Sequence, residues 1–117
     1  MGRQTGFSLV VKALIRDRSG GCCELCGEWH SDMQHHHRRA RGMGSTKRPE
    51  TNMPANGLLL CGSCHRRVES HRAAVYDNGW LVHQGANPGE IPVLRRGEWV
   101  LLDSAGGVNP VEAQAIR

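Results

Sequence analysis

The chain has 117 residues and carries 15 Lys+Arg against 11 Asp+Glu, a formal net charge of +4. That length supports one domain with a small core, and one Phe, one Tyr and three Trp against 15 Gly make a thin core inventory, so a cross-link such as a metal site would add stability. No apolar run approaches a membrane span, and Lys12 breaks the apolar opening with no small-residue cleavage site after it, which argues against a signal peptide and leaves a cytoplasmic protein as the expectation.

Phe7, Val11, Leu14 and Ile15 recur at helical spacing, with Thr5 or Ser8 as N-cap and Gly20-Gly21 as the stop. The run CCELCGEWH reads as a tight cysteine turn leading into a short strand over residues 33–37. In that strand His35 and His37 face one way and His36 the other. RRARGMGSTKRPETNMP has no periodicity and is a loop. NMPANG then makes a turn or single helical turn, LLLC a short apolar strand, and GSCHRRVESHRAAV a second helix with Ser63 as its cap. Beyond Tyr76, DNGWLVHQ is a turn into a strand, IPVLRRGEWVLLDSAGG a hairpin pivoting near Gly97, and the last ten residues a frayed end or short tail. One α+β domain follows, with an N-terminal helix (residues 1–21), a central core (22–75) and a C-terminal β-hairpin extension with its tail (76–117).

The charge is unevenly placed. Residues 1–72 hold 12 Lys+Arg against 6 Asp+Glu, whereas residues 73–117 hold 3 against 5. Basic charge therefore travels with the histidines and cysteines, where it suits a polyanion such as DNA. The same residues would serve equally well to solvate a surface.

Cys23-x-x-Cys26 and Cys61-x-x-Cys64 repeat one spacing, with 34 residues between Cys26 and Cys61. Two residues between thiols let a single turn aim both sulfurs at one ion, and two such turns make a tetrahedral four-thiolate zinc site. Disulfides are the competing use, disfavoured in a reducing compartment. Cys22 is spare; pairing it with Cys26 would leave three residues between ligands, which zinc turns tolerate, but Cys23 matches the second pair. Such a zinc closes its shell with protein ligands, so it holds the fold and does no chemistry.

A zinc there pins residue 26 near residue 61, so that QHHHRR can lie beside LCGSCHRR and His36, His37 and His65 converge. A lone His65 would more often cap or pack, and His30, His71 and His83 read as structural or surface residues. The internal run of three histidines has no such explanation in helix or strand preference.

The ordered set C-x2-C, HHRRARGMG, Asn56 and LLLC-x2-CH resembles the HNH endonucleases, the ββα-metal nucleases, and within them the small cysteine-bearing proteins encoded by bacteriophages. The matching segment runs from about Cys23 to His71. The resemblance implies a strand carrying the first His, a loop holding the Asn, and a helix carrying the last His around one divalent ion. It places the general base on His37, a metal ligand on His36, the loop-ordering or base-positioning residue on Asn56 and the second metal ligand on His65. His35 precedes the pair, so the pair is His36/His37 or His35/His36; the basic-glycine run directly after favours the former.

In that reading a neutral His37 takes a proton from water. Arg38, Arg39 and Arg41 hold its pKa down and grip the phosphates. The ion, one of Mg2+, Mn2+, Ni2+, Co2+ or Zn2+, is separate from the structural Zn2+ and polarises the phosphoryl group. Such a site would nick or cut DNA with little sequence specificity. A phage protein of this kind implies host cytoplasm and a role beside the genome-packaging terminase, through the acidic residues from 73 onward as a docking hairpin, unless these are simply a lid on the fold. The alternatives are a non-catalytic zinc-stapled nucleic-acid-binding module, in which the histidines cap or pack, and a small interaction domain within a larger machine.

Overall fold

An antiparallel pair of strands lies between one helix on one face and the remaining elements on the other. The computed structural model describes residues 6–40, 48–70 and 72–111. Strand β1 (Met33–His37) fills the expected span and pairs with β2 (Gly57–Cys61), with Met33 opposite Cys61 and His37 opposite Gly57. Every residue of β2 is buried. Leu59 meets Phe7, Val11 and Ile15, while Leu58 and Leu60 point the other way, towards a cluster that includes Val68, Trp80, Val93 and Leu102. Burial on both faces is why LLLC reads as a continuous apolar run and not as an alternation.

Helix α1 (Leu9–Ser19) begins at Ser8, whose hydroxyl oxygen accepts the Val11 N–H at 3.2 Å. It ends at Gly20, whose φ of +67° is the left-handed cap conformation that glycine adopts without penalty. Ser8 is therefore the cap; Thr5 lies outside the described residues. The helix approaches β2 closely because Gly57 is bare, and a Cβ there would run into Ile15 Cδ1.

Four sequence expectations are corrected beyond β2. The single second helix is two, α2 (Gly62–Val68) and α3 (Arg72–Asp77). Cys61, not Ser63, caps α2, its sulfur accepting the Cys64 N–H at 3.5 Å. The segment after α3 is no strand, because its bonds form no ladder: Trp80 and Leu81 N–H turn back to Val75 O, Val82 N–H goes to Arg38 O at 2.8 Å, and Trp80 Nε1–H to Leu94 O at 2.7 Å. Strands β3 (Val93–Arg95) and β4 (Glu98–Leu102) form the expected hairpin, turning through Arg96 and Gly97 at φ of 51° and 81°. Residues assigned to a frayed tail instead supply a third strand, β5 (Val108–Pro110), paired with β4. The Asp103 carboxylate closes that turn by accepting the Ala105 and Gly107 N–H groups at 3.0 and 2.7 Å. Among the described residues no helix is long and apolar enough to cross a membrane.

Glu24, fully buried, joins the elements. One carboxylate oxygen accepts from Arg18 Nη2 at 2.6 Å and Leu59 N–H at 2.8 Å; the other accepts from Arg18 Nε at 2.9 Å and Arg95 Nε at 2.8 Å. Arg18 extends the tie to Pro54 O and Gly57 O. Burial pushes the Glu24 carboxyl up, but Arg18, the Leu59 N–H and Arg95 outweigh it and hold it below its ordinary value of 4.5.

Replacing Glu24 by Gln leaves two guanidinium groups without their counter-charge and should cost about 3–5 kcal/mol, read as a lower urea midpoint. The folded-state pKa lies below the unfolded one, so the contribution is complete above pH 4.5 and lost as pH falls through the folded value. The gap between wild type and Glu24→Gln should therefore narrow in acid. A gap of the same size near neutrality and near about pH 3 contradicts the assignment.

Candidate functional site

Both cysteine turns meet at the Met33–Cys61 end of the strand pair. Cys61 ends β2 and Cys64 sits in α2, while the first turn is closed by Cys23 N–H to Glu28 O and Gly27 N–H to Cys23 O, both 2.9 Å. The sulfurs of Cys23, Cys26, Cys61 and Cys64 all lie within 4.8 Å of one another. Tetrahedral zinc with Zn–S bonds of ~2.3 Å spaces its sulfurs about 3.8 Å apart, so the cluster could hold such an ion after small inward shifts. Leu25 and Cys64 N–H groups point at the sulfurs of Cys23 and Cys61, and His30 Nε2 lies 3.7 Å from Cys26 Sγ. Burial pushes the Cys64 thiol up and its neighbouring sulfurs push it further; burial also raises Cys26. At Cys23 burial is outweighed by backbone N–H groups, which bring its pKa to about 7. Four thiolates so close repel one another unless a cation sits among them. Cys22 lies outside the cluster; its carbonyl accepts from Arg96 Nη2 at 3.0 Å.

Because α2 starts directly after the strand, His65 faces β1. The His36 and His65 rings meet edge to face, with centroids 5.3 Å apart and planes at 65°. His36 Nε2 donates to Trp80 O at 2.9 Å, and His65 Nδ1 donates to Gln34 Oε1. Those acceptors place protons on His36 Nε2 and His65 Nδ1 and lone pairs on His36 Nδ1 and His65 Nε2, as in an imidazole oriented to hold a metal. Glu69 Oε2 stands 3.8 Å from His65 Nε2. Burial is the first cause that holds His36 down to a pKa of about 4; the charges of His65, His37 and Arg38 add to it in that order. At His35, too, burial leads, ahead of Arg16.

The strand alternation sends His37 to the opposite face, where its ring stacks on Phe7 at 4.0 Å with planes 8° apart. Its Nε2 lies 2.8 Å from Asn52 Oδ1. His37 still reaches the rim of the cleft that His36 and His65 line, an opening of about 680 Å³. Asn56, fully buried, ties the exit of β1 to the entry of β2: its Oδ1 accepts the Arg39 N–H at 2.7 Å, and its Nδ2 donates to Arg39 O and Thr51 O at 3.0 and 2.8 Å.

Arg38 and Arg39 are corrections. Both side chains are buried, not laid out for phosphates. Arg38 donates to Gly79 O, Ala55 O, Pro88 O and Ile91 O at 2.8 to 3.1 Å. Burial lowers its pKa to about 9, which leaves the guanidinium charged near neutrality. Arg39 reaches Ala86 O, Glu50 Oε1 and Thr51 Oγ1. Arg41 and His71 lie outside the described residues.

Three participants, Gln34, Glu69 and Asn52, went unread in the sequence, and His83 was read as a structural or surface residue. Gln34 is two residues before His36, on the same strand face; Glu69 is four after His65, one helical turn on. Asn52 is the first of two asparagines in TNMPAN, and only the second matches the resemblance. His83 stacks on Tyr76 at the far wall, a contact between a helix and an irregular segment.

If the cysteine cluster holds structural zinc, Cys64→Ser should lose metal and fold together, since such sites contribute on the order of 10 kcal/mol or more. Elemental analysis alongside circular dichroism checks this; a well-folded, metal-free Cys64→Ser protein contradicts it.

Compared with models of known protein families, with curated proteins and with solved structures, the chain finds no match in any of the three.

Proposed function

We propose that the chain is a metal-dependent HNH endonuclease that hydrolyses DNA phosphodiester bonds with low sequence specificity. The reading is carried by the His36–His65 pair, whose lone-pair nitrogens are set by Trp80 O and Gln34 within an open cleft. Two imidazoles fit a divalent ion by donor type and leave room for solvent and substrate. Such an ion, when bound, polarises the phosphoryl oxygen and stabilises the departing 3′-oxygen.

The rest belongs to the chain. His37 Nε2–H donates to Asn52 Oδ1, which orients the ring, and in this reading His37 takes the proton of the attacking water. Stacking on Phe7 fixes the plane of the ring, so the acceptor cannot swing away. Asn56 clamps the backbone of Arg39 and so holds the end of β1 that presents His37. With Arg38 and Arg39 buried, phosphate contact falls to exposed arginines such as Arg66 and Arg67 of α2. These contacts position a backbone without reading bases, hence the low specificity. A place beside a phage terminase in host cytoplasm is the setting that the HNH resemblance implies. Residues from 73 onward would dock only by their outer face, since Val75, Trp80, Val93, Val100 and Leu102 are committed to the core.

Supercoiled plasmid incubated with the protein and Mg2+, Mn2+, Ni2+, Co2+ or Zn2+ should be nicked with at least one of them. His37→Ala should lower that rate about 100-fold or more with the fold intact, and His65→Ala should abolish binding of the second ion in calorimetry. A wild type inactive with every ion, or a His37→Ala protein as active as wild type, overturns the reading. DNA binding without cleavage would instead favour the zinc-stapled binding module.

A further inference from the structure

The cleft is larger than an ion and a phosphate require. Besides His36 and His65 it is lined by Val68, Leu81, Val82, Tyr76 and His83. Those two rings lie parallel, with centroids 4.0 Å apart and planes within 2°. Tyr76 is half-buried on α3, and His83 is exposed on the irregular segment that follows. That segment is bonded to β1 and to the residue after it, through His36 Nε2–H to Trp80 O and Val82 N–H to Arg38 O. The ring pair is therefore held at a fixed offset from the imidazole pair. At about 680 Å³ the cleft falls within the roughly 300–1,000 Å³ of sites that enclose a small molecule. One end is imidazole-lined; the other is aliphatic and aromatic.

We infer that Tyr76 and His83 form a stacking platform for one unpaired nucleobase, next to the phosphodiester placed at His36 and His65; this rests on the nuclease reading above. Tyr76 backs His83, so the outward imidazole face is a rigid π surface, and Leu81 and Val82 supply the apolar flank that a base edge accepts. Neither ring has a part in ion binding or proton transfer. Every base has a π face, so such a platform grips without choosing a sequence. A base inside a duplex is already stacked on both sides, and only one outside the stack can use the platform. The substrate class narrows accordingly, to DNA with an unpaired nucleotide beside the scissile phosphate.

The test uses the full chain with its structural zinc and a short oligonucleotide carrying 2-aminopurine, whose fluorescence falls on stacking. It is offered as a single strand and as a duplex of the same sequence, first without added ion and then with each ion of the plasmid series. Wild type should bind the single strand more tightly than the duplex and quench its fluorescence. His83→Ala and Tyr76→Ala should weaken single-strand binding roughly tenfold, bring the single-strand to duplex ratio towards one, and lose the quench. Tyr76→Phe keeps the ring and should keep all three. Variants are compared at equal zinc content and equal circular dichroism. Unchanged single-strand binding and quench in both Ala variants overturns the platform, as does a loss that falls equally on duplex and single strand. If wild type cleaves neither form with any ion, the nuclease reading fails by itself, and the platform is decided by binding and quench alone.

Discussion

The register of β1 on β2 decides everything downstream. With Met33 opposite Cys61 and His37 opposite Gly57, His36 faces α2 and the core, while His35 and His37 face α1. A slip of one residue would exchange those faces and leave His65 opposite the wrong imidazoles. Residues 38–56 separate the two strands, so the register cannot come from a tight turn; it is pinned at both ends. At one end the four sulfurs gather around Cys61 and Cys64. At the other Asn56 bonds the Arg39 backbone through both its N–H2 and its oxygen. Glu24 adds a clamp from the side, pairing with the Leu59 N–H while its own N–H reaches Leu59 O at 2.8 Å.

Buried arginine is the second organising device. A guanidinium is tolerated inside a protein when its N–H groups find acceptors and its charge is partly offset by dipoles. Arg38 meets that condition with carbonyls from Ala55, Gly79, Pro88 and Ile91, so one side chain gathers three separate stretches of chain around the end of β1. The RRARG run was legible as charge but not as structure. Arginine is rarely fully buried, and the acceptors here lie 17 to 53 residues away.

That contrast separates what the sequence discloses from what it hides. Helix α1, strand β1 and the turn at Arg96–Gly97 are written locally, in a cap, an alternation and a pair of positive φ angles. The cysteine cluster is legible because its spacing is itself the constraint. By contrast, Trp80–Gln84 has strand composition, yet its bonds scatter over Val75, Arg38, Leu94 and the ring of His36, and no neighbouring strand completes a ladder. β5 hid for the opposite reason: Val-Asn-Pro has weak strand preference, and β4 recruits it through the turn that Asp103 closes. The resemblance singles out His36, His65 and Asn56 by their order along the chain, whereas Gln34, Asn52 and Glu69 come beside these histidines only in three dimensions.

Consecutive histidines on a strand also solve a chemical problem posed by the proposed mechanism. A ligand imidazole and a base imidazole both need a free lone pair, and two flexible neighbours would both be drawn onto the same cation. The pleat prevents this by sending adjacent side chains to opposite faces. His36 is held among core residues, with burial keeping it neutral and Trp80 O fixing its tautomer. His37 is held apart by the Phe7 stack and by Asn52, which orient its ring independently of His65. Phe7, just ahead of α1, and the loop that supplies Asn52 thus act on the proposed chemistry through one ring, and loosening either would let the base turn towards the ion. Separation of the two roles is therefore a property of the strand and its flanking contacts, and it requires no difference in the intrinsic chemistry of the two side chains.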